Sequence, residues 1–251
     1  MSSLERARIV VTGAAGGIGS QVAAKLRLAG AIVTGVDRVA CPACHSSIDA
    51  DLGSQEGLAA IAATLAAAEC DILVNLAGVQ YFGPLAEQTP ASLWSGYVVN
   101  LIAPAMLVRA VLPGMLARRH GRIVNIGSVF GAIPFAHFAS YSSAKAGLKG
   151  LSDALRREVA GTGVEVTHIA PRAVRTALAS PKVMAFAAAT GMHMDAPDAV
   201  AARIVAAIAS GTANLVIGFP ESLFVHLNAL APRLVDRALA ANDRKAAALF
   251  R

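Results

Sequence analysis

Tyr141 and Lys145 are four positions apart, a spacing that places two side chains on one face of an α-helix. An unperturbed tyrosine has a pKa of about 10 and is a poor base at neutral pH. A nearby ammonium would lower that pKa, so the pair could exchange a proton with an alcohol or a carbonyl oxygen. Ser128, 13 positions upstream of Tyr141, could hydrogen-bond the same oxygen. Because this spacing is common on ordinary helix faces, its meaning depends on the rest of the sequence.

A glycine-rich stretch after the apolar run Arg8–Thr12 contains Gly13, Gly17, Ile18 and Gly19. Glycines allow a tight turn and let a diphosphate approach the N-terminus of the next helix, where free N–H groups favour anions. Taken alone, such a stretch is equally compatible with an ordinary turn. Its place between a predicted strand and a predicted helix favours a dinucleotide site.

Asp37 lies 18 residues beyond Gly19, at the end of the second predicted strand. An acidic residue near this offset accepts hydrogen bonds from the adenosine ribose, and its charge repels a 2′-phosphate. We therefore expect NAD as the cofactor and regard NADP as less favoured, although the neighbouring Arg38 could reach a phosphate. The alternative for Asp37 is a solvated residue at a strand end.

Two further groups are expected at the cofactor site. Asp51 and Leu52 precede a predicted helix, where Asp51 is either the N-cap or a contact to the adenine edge. Asn75, Ala77 and Gly78 end the third predicted strand, where small residues would let the cofactor lie close. Neither group is informative without the other motifs.

Apolar runs alternate with helical patterns along the whole chain. Strands are predicted at residues 8–12, 31–36, 71–75, 122–127, 164–169 and 215–217, and helices at 17–28, 55–68, 103–118, 141–160 and 197–209. Parallel strands need such crossover helices, so the predicted fold is an α/β doubly wound parallel sheet with helices on both faces. Ligands in this architecture bind beyond the carboxyl ends of the strands, where the motifs above fall.

The chain has 251 residues, of which 55% are hydrophobic and only 15% charged. This length suits one domain over residues 1–251, and the low charge indicates extensive burial or an oligomer interface. The uncharged stretches 88–108 and 123–144 are long enough to span a bilayer, but both contain proline, asparagine and serine, so no span is predicted. The first eight residues contain no apolar signal region, so a cytoplasmic protein is expected.

The formal net charge of +6 is compatible with nucleic acid, an anionic membrane or acidic substrates. Basic residues scattered over the surface explain it more simply, and no nucleic-acid partner is expected. Cys41, Cys44 and His45 match the c-type haem attachment pattern, but that chemistry belongs to exported proteins. A zinc site would lack a second ligand pair, so we expect a loop with free thiols and no metal.

Together these residues resemble the short-chain dehydrogenase/reductase family, in its single-domain branch of about this length. The matches are the turn from Thr12 to Gly19, Asn75-x-Ala-Gly78, Asn100, Ser128 and Tyr141-x-x-x-Lys145. The resemblance covers nearly the whole chain, with the motifs in the expected order. It implies a Rossmann-type sheet of about seven strands and an oxidoreductase that interconverts an alcohol and a carbonyl by transfer of the pro-S hydride.

The resemblance also implies a role for each catalytic residue. Tyr141 would be the general acid/base, and Lys145 would hold the nicotinamide ribose and lower the tyrosine pKa. Ser128 would orient the carbonyl, and Asn100 would hold a water molecule in a proton relay. Such proteins are usually homodimers or homotetramers, with the helices before residue 118 and after residue 141 packed across an interface.

The sequence departs from the family pattern after the sixth strand. Pro171 is followed by Arg172 where the family commonly has glycine, and arginine lacks glycine's backbone freedom. Pro171, Val174 and Thr176 are still expected to contact the cofactor. Arg172 is either a cation for an acidic substrate or a solvent-facing loop residue. Leu76 replaces a second asparagine, which we interpret as a tolerated packing change.

The substrate and the role of the tail, residues 219–251, are less determined. Residues 176–194 are rich in Ala, Met and Phe, and the tail carries Phe224, Leu227, Leu230 and Leu234 at helical spacing. An apolar pocket would suit a lipophilic alcohol or ketone, such as a steroid-like ketone, a terpenoid or a fatty-chain alcohol. Subunit contact explains these residues equally well, and the basic amphipathic tail could also rest weakly on a membrane surface. The main alternative function is a non-catalytic NAD-binding regulator or scaffold, against which the intact Ser128, Tyr141 and Lys145 argue.

Overall fold

The computed structural model describes residues 4–250 and is built around a seven-stranded parallel sheet. The strands are β1 (Arg8–Thr12), β2 (Ile32–Asp37), β3 (Ser46–Asp49), β4 (Ile72–Asn75), β5 (Gly121–Ile126), β6 (Val164–Pro171) and β7 (Asn214–Ile217). Their order is β3-β2-β1-β4-β5-β6-β7, so the winding reverses between β1 and β4. The predicted Rossmann-type doubly wound sheet is confirmed.

The apolar pattern did not locate strand β3. This strand has the sequence Ser-Ser-Ile-Asp, and three of its four residues are exposed. It lies at the edge of the sheet and pairs with β2 alone. Apolar runs reveal buried strands, whereas a short polar edge strand carries no such signal.

The helices lie between and beyond these strands. They are α1 (Gly17–Leu28), α2 (Gln55–Ala67), α3 (Pro90–Tyr97), α4 (Ala103–Ala117), α5 (Ala139–Glu158), α6 (Pro181–Thr190), α7 (Pro197–Ser210), α8 (Glu221–Leu230) and α9 (Pro232–Ala248). A π-helical turn, Val98–Ile102, joins α3 to α4. Helix α5 begins two residues before the predicted start, so Tyr141 lies in its first turn.

Two apolar cores lie on opposite faces of the sheet. Helices α1 and α7 pack against each other over one face, where Leu26 and Ile204 are fully buried. Helices α2, α4 and α5 cover the other face, where Leu107 and Leu155 belong to the core. This arrangement confirms the prediction of helices on both faces, and it holds the carboxyl ends of the strands at one edge of the molecule.

The continuous helical segment Pro90–Ala117 has 28 residues and a mean hydropathy of 1.7 in its most apolar window. By length and composition alone it is sufficient to cross a membrane. Half of that window is buried inside the fold, where Leu107 and Val111 join the core beneath α2. A buried helix in the core of a globular protein can have the same length and composition, so this segment is weak support for a membrane span.

The loop between β2 and β3 carries two free thiols, Cys41 and Cys44. A Cβ atom on Gly35 in β2 would lie 2.7 Å from Sγ of Cys44 and 2.9 Å from Sγ of Cys41. His45 faces β2, where its Nδ1 accepts a 3.1 Å hydrogen bond from the N–H of Val33. Residues 4–250 contain no group of three or more His, Cys, Asp or Glu side chains suited to a metal ion. The segment from Cys41 to His45 is therefore a loop that packs against Gly35 of β2.

Candidate active site

A cavity of about 610 Å³ lies along the carboxyl ends of β1, β2, β4, β5 and β6, across the point where the winding reverses. Most residues expected at the cofactor or catalytic site line it. They are Gly13, Gly17, Ile18, Asp37, Asp51, Leu52, Ala77, Gly78, Ser128, Tyr141, Lys145, Pro171, Val174 and Thr176. Gly19, Asn75 and Asn100 do not line it.

The glycine turn is tight because other backbone segments press against it. Gly13 has a φ of +70°, and a Cβ there would lie 2.7 Å from Cα of Ala77. A Cβ on Gly19 would lie 2.0 Å from the carbonyl oxygen of Gly13. Gly19 is therefore required for packing beneath the turn, and its contact with a cofactor stays a prediction. Gly17 leaves room for Thr176, whose Cγ2 would lie 2.8 Å from a Cβ at that position.

The hydroxyl of Thr12 joins the turn to the neighbouring strand. It accepts hydrogen bonds from the N–H groups of Leu76 at 3.0 Å and Ala77 at 3.1 Å. This contact holds the segment after β4 beside Gly13, so both borders of the cavity are fixed by β1. Leu76 contributes its backbone here and lines the cavity.

Asp37 lies at the end of β2 beside the glycine turn. Its Oδ2 accepts a 3.0 Å hydrogen bond from the N–H of Ala15, and its Oδ1 accepts one of 2.8 Å from the N–H of Arg38. The carboxylate is therefore fixed at one end of the cavity, where the sequence places a ribose contact.

Asp51 also lies at this end, but it is not a helix N-cap. Its Oδ1 accepts a 2.8 Å hydrogen bond from the N–H of Gly53, which closes a local turn. Ser54 caps α2 instead, because its Oγ accepts a 3.0 Å hydrogen bond from Gly57. The N-cap alternative for Asp51 was wrong by three positions, since the chain turns once more before the helix begins.

Asn75 lies under the cavity in a buried polar chain. Its Nδ2 donates a 2.8 Å hydrogen bond to Asn125, whose own Nδ2 donates one of 2.9 Å to Ser152. Ser152 in turn donates to the carbonyl of Leu148 at 2.7 Å. Asn75 therefore takes part in a link between β4, β5 and α5, and its contact with a cofactor stays a prediction.

The tyrosine and lysine share the first part of α5 as predicted. Both are buried, and Nζ of Lys145 lies 5.9 Å from the centre of the Tyr141 ring. The same Nζ donates a 2.9 Å hydrogen bond to the carbonyl oxygen of Ile126 at the end of β5. Ser128 caps the short 3-10 turn after β5 and accepts a 3.1 Å hydrogen bond from Phe130.

Burial determines the proton affinities of this pair. It raises the pKa of Tyr141, and a side-chain hydrogen bond with Ser128 lowers that pKa in part. It also lowers the pKa of Lys145 to about 8. The sequence argument expected a lowered tyrosine pKa, but in the cofactor-free protein desolvation of the phenolate dominates.

Asn100 lies in the π-helical turn, and its amide stabilises that turn. Its Nδ2 donates 2.8 Å hydrogen bonds to the carbonyl oxygens of Gly96 and Val79, and its Oδ1 accepts a 3.3 Å bond from the N–H of Val79. A Cβ on Gly78 would lie 3.0 Å from this Oδ1 and 3.8 Å from Nζ of Lys145. Both polar groups therefore border the space above Gly78, while most of the amide is already bonded to backbone.

Arg172 is not the solvent-facing loop residue that was one of its two expected roles, because its side chain is mostly buried; it lines the cavity, and the role of a cation for an acidic substrate stays a prediction. Its guanidinium binds both carboxylate oxygens of Asp195, at 3.0 and 2.8 Å, and also contacts Glu221 at 3.0 Å. It donates a further 2.9 Å bond to the carbonyl of Phe219. Gly218 leaves room for this side chain, since a Cβ there would lie 2.6 Å from Cδ of Arg172. The arginine fastens three loops together and is mostly buried.

The open side of the cavity carries residues that the motifs did not identify. Phe130, Val183, Met192 and Met194 line it beyond the tyrosine. The Ala-, Met- and Phe-rich composition of 176–194 pointed to this segment, but no spacing identified the inward-facing positions. Helix α6 and the loop after it decide which side chains face the cavity.

Comparison with known proteins agrees with this geometry. A family profile described as short chain dehydrogenase matches residues 7–185. The chain is 30% identical to the ketoacyl reductase HetN of Nostoc sp., covering 94% of this chain and 89% of that protein. A solved short-chain dehydrogenase from Streptomyces avermitilis is 29% identical, with a TM-score of 0.79, covering 96% of this chain and 99% of that chain. A metagenomic short-chain oxidoreductase solved in complex with NADP is 34% identical, with a TM-score of 0.67 and coverage of 82% and 91%.

Proposed function

This chain belongs to the short-chain dehydrogenase/reductase family, and from that premise we propose that it is an NAD-dependent oxidoreductase interconverting a lipophilic alcohol and its carbonyl compound. The observation that carries the proposal is the presence of Ser128, Tyr141 and Lys145 in the cavity that the glycine turn borders. A non-catalytic NAD-binding protein would need the turn but not this trio.

The residues of the cavity fit a dinucleotide. Its volume of about 610 Å³ falls in the range of roughly 300–1,000 Å³ typical of small-molecule sites. Gly13 and Gly17 expose backbone at the start of α1, where a diphosphate would meet free N–H groups. Asp37 lies at the end suited to a ribose diol, and Tyr141 and Lys145 lie at the other end. A bound nicotinamide would supply hydride exchange with the substrate carbon.

The chain's own residues would manage the proton. The phenol of Tyr141 would take a proton from the alcohol oxygen during oxidation, or return it during reduction. A pKa of about 8 keeps most of Lys145 protonated at neutral pH, so its positive charge favours the phenolate. Ser128 would hydrogen-bond the reacting oxygen, and Asn100 with Lys145 would hold a water molecule above Gly78.

Replacement of Tyr141 by Phe tests this assignment. Turnover of long-chain 2-ketones with reduced NAD should fall to background, while NAD affinity measured by calorimetry stays within about threefold. Tyr97→Phe is the matched control, because the Tyr97 hydroxyl pairs with Ser143 at 2.7 Å outside the cavity. Retained activity in Tyr141→Phe would refute the acid/base role. Wild-type protein that binds NAD yet turns over no ketone or alcohol would support the scaffold function instead.

The preference for NAD is supported by Asp37 and opposed by two observations. The fixed carboxylate would repel a 2′-phosphate, whereas Arg38 is exposed next to it. A relative at 34% identity was solved with NADP. We expect wild-type kcat/KM to favour NAD by about tenfold or more, and Asp37→Ser to remove that preference. Asp49→Asn is the control, since Asp49 pairs with Asp37 in register but lies outside the cavity. Equal use of both cofactors by the wild type would contradict the proposal.

A lipophilic substrate is supported by the apolar open side of the cavity. Phe130, Val183, Met192 and Met194 offer no charge to a substrate. The Nostoc relative is named as a ketoacyl reductase, which is consistent with an acyl-like chain. Along a series of 2-ketones of increasing length, kcat/KM should rise by about tenfold per two methylenes until the pocket is filled. A preference for charged or sugar substrates would contradict this.

We further propose that the protein is a cytoplasmic homodimer or homotetramer. Helix α4 and the turn before it expose Ile102, Met106 and Leu116 on one stripe, which supports an apolar contact between copies. Light scattering that finds a monomer at micromolar concentration would contradict this assembly.

Weak membrane-surface contact through the tail is supported by the exposed side chains of Phe219, Leu223 and Leu230. It predicts co-sedimentation with phosphatidylserine vesicles at low salt.

A further inference from the structure

The end of the tail, just beyond α9, packs into a cluster of aromatic rings that adjoins the catalytic cavity. The ring of Phe250 lies 5.0 Å from that of Phe82, in an edge contact. Phe82 stacks on Phe138 at 4.4 Å, and Phe138 immediately precedes α5. A row of rings therefore connects the end of the tail to the turn of α5 that carries Tyr141.

The same part of the tail also holds helix α6. Nζ of Lys182, in the first turn of α6, lies 4.7 Å from the centre of the Phe250 ring. Nζ of Lys245 donates a 2.8 Å hydrogen bond to the carbonyl of Ala189, in the last turn of α6. A cation there also suits the negative end of the helix dipole. The first turn of α6 therefore contacts Phe250, just beyond α9, and its last turn is hydrogen-bonded to Lys245 within α9.

Helix α6 forms part of the wall facing the catalytic tyrosine. Val183 lines the cavity, and Phe186 lies fully buried in the aromatic cluster. Met192 and Met194, which also line the cavity, follow directly after the helix. Among the helices and strands of residues 4–250, α6 packs mainly against α9, and its Phe186 also contacts the rings of Phe82 and Phe138. The position of this wall therefore depends in part on the tail.

We propose that Phe250 and Lys245 are positioning residues that fix α6 over the substrate pocket and so determine how strongly a long apolar substrate is bound. The inference rests on the proposed function, because it assigns the apolar end of that same site. Neither residue touches the reacting atoms. They act on the substrate indirectly, by placing Val183, Met192 and Met194 in the cavity wall. Their replacement should therefore change binding of the apolar chain and not the proton transfer.

Hydrogen–deuterium exchange tests the fastening without any substrate. In Phe250→Ala, amides of residues 182–190 should exchange about fivefold to tenfold faster than in the wild type, because an aromatic contact and a cation–π contact are lost. Lys245→Met should show a similar change, and Phe250→Tyr should restore slow exchange. Leu230→Ala is the matched control, since Leu230 is an exposed apolar residue of the same tail. Unchanged exchange in both variants would overturn the proposal.

Steady-state kinetics test the consequence for specificity. For Phe250→Ala, KM for 2-decanone should rise about fivefold, while kcat for 2-decanone and both constants for 2-butanone stay within about twofold. An equal change for both ketones, or a fall in kcat alone, would overturn the specificity role even if exchange accelerates. Wild-type protein without turnover of either ketone would refute the proposed function and not the fastening, which the exchange measurement decides separately.

Discussion

Lys145 donates a 2.9 Å hydrogen bond from Nζ to the carbonyl oxygen of Ile126, which ties helix α5 to the end of strand β5. The residue is only 5% exposed, and its Nζ lies 5.9 Å from the centre of the Tyr141 ring. Burial of an ammonium disfavours its charged form, which explains why its pKa falls to about 8. The lysine is thus held in place at a cost in stability.

That cost predicts a distinctive pH dependence. Because the folded-state pKa of about 8 is below the unfolded value of 10.5, the unfolded state binds more protons between these values. The free energy of unfolding of cofactor-free wild type should therefore rise with pH over this range, relative to Lys145→Met, by up to about 3 kcal/mol. Urea denaturation at several pH values measures the difference. Lys149→Met removes a more exposed lysine, which is paired with Asp153. Over this pH range its free energy of unfolding should change with pH as that of the wild type does. A pH-independent difference for Lys145→Met would contradict the depressed pKa.

Removal of the Ser128 hydroxyl should shift the pH profile of alcohol oxidation. The hydrogen bond with Ser128 lowers the pKa of Tyr141, so Ser128→Ala should raise it. Oxidation needs the phenolate, so the rising limb of kcat/KM should move to higher pH. Ser128→Thr retains a hydroxyl and should keep the wild-type midpoint. A lower rate at an unchanged midpoint would show that Ser128 only orients substrate.

Two glycine substitutions should have opposite effects on stability. Gly19→Ala places a Cβ 2.0 Å from the oxygen of Gly13, so the turn must shift. We expect a loss of about 2 kcal/mol and a fall of about tenfold or more in NAD affinity. Gly150→Ala, on the exposed face of α5, meets nothing within 4 Å and should stabilise the protein by about 1 kcal/mol. Thermal unfolding and calorimetry measure both, and a stable Gly19→Ala protein with normal affinity would disprove the packing role.

Loss of the Arg172 guanidinium should loosen the loops beside the site. Arg172→Ala removes the bidentate contact with Asp195 and the hydrogen bond to the carbonyl oxygen of Phe219. We expect the free energy of unfolding to fall by about 2 kcal/mol. Arg172→Lys cannot reproduce the paired contact and should recover only part of it. Arg175→Ala, a nearby exposed arginine, serves as control. An unfolding midpoint for Arg172→Ala equal to that of the control would show that the contacts carry no net stability.

The sheet and most of the site could be predicted from sequence because the relevant signals are local. Buried strands give apolar runs, and the turn, Asp37 and the Tyr141–Lys145 pair each depend on spacing within one or two adjacent elements. The N-cap alternative for Asp51 failed because of one local turn, whereas the partners of Arg172 and Asn75 lie far away in sequence. Arg172 meets Asp195, 23 positions away, and Asn75 meets Asn125, 50 positions away. No local pattern signals such contacts.

The sequence by itself determined the parallel α/β architecture, the order of the motifs along it, and the family to which the chain belongs. Tertiary structure alone decided that Gly19 packs beneath the glycine turn and that Asn75 is hydrogen-bonded to Asn125. It further decided that Arg172 links its own loop to the loop of Asp195. It also decided that Phe250 lies against the wall of the pocket. The physical reason is the range of the interactions involved. Turn geometry and helical spacing are properties of neighbouring residues, whereas close packing and ion pairing arise only when the folded chain brings distant segments together.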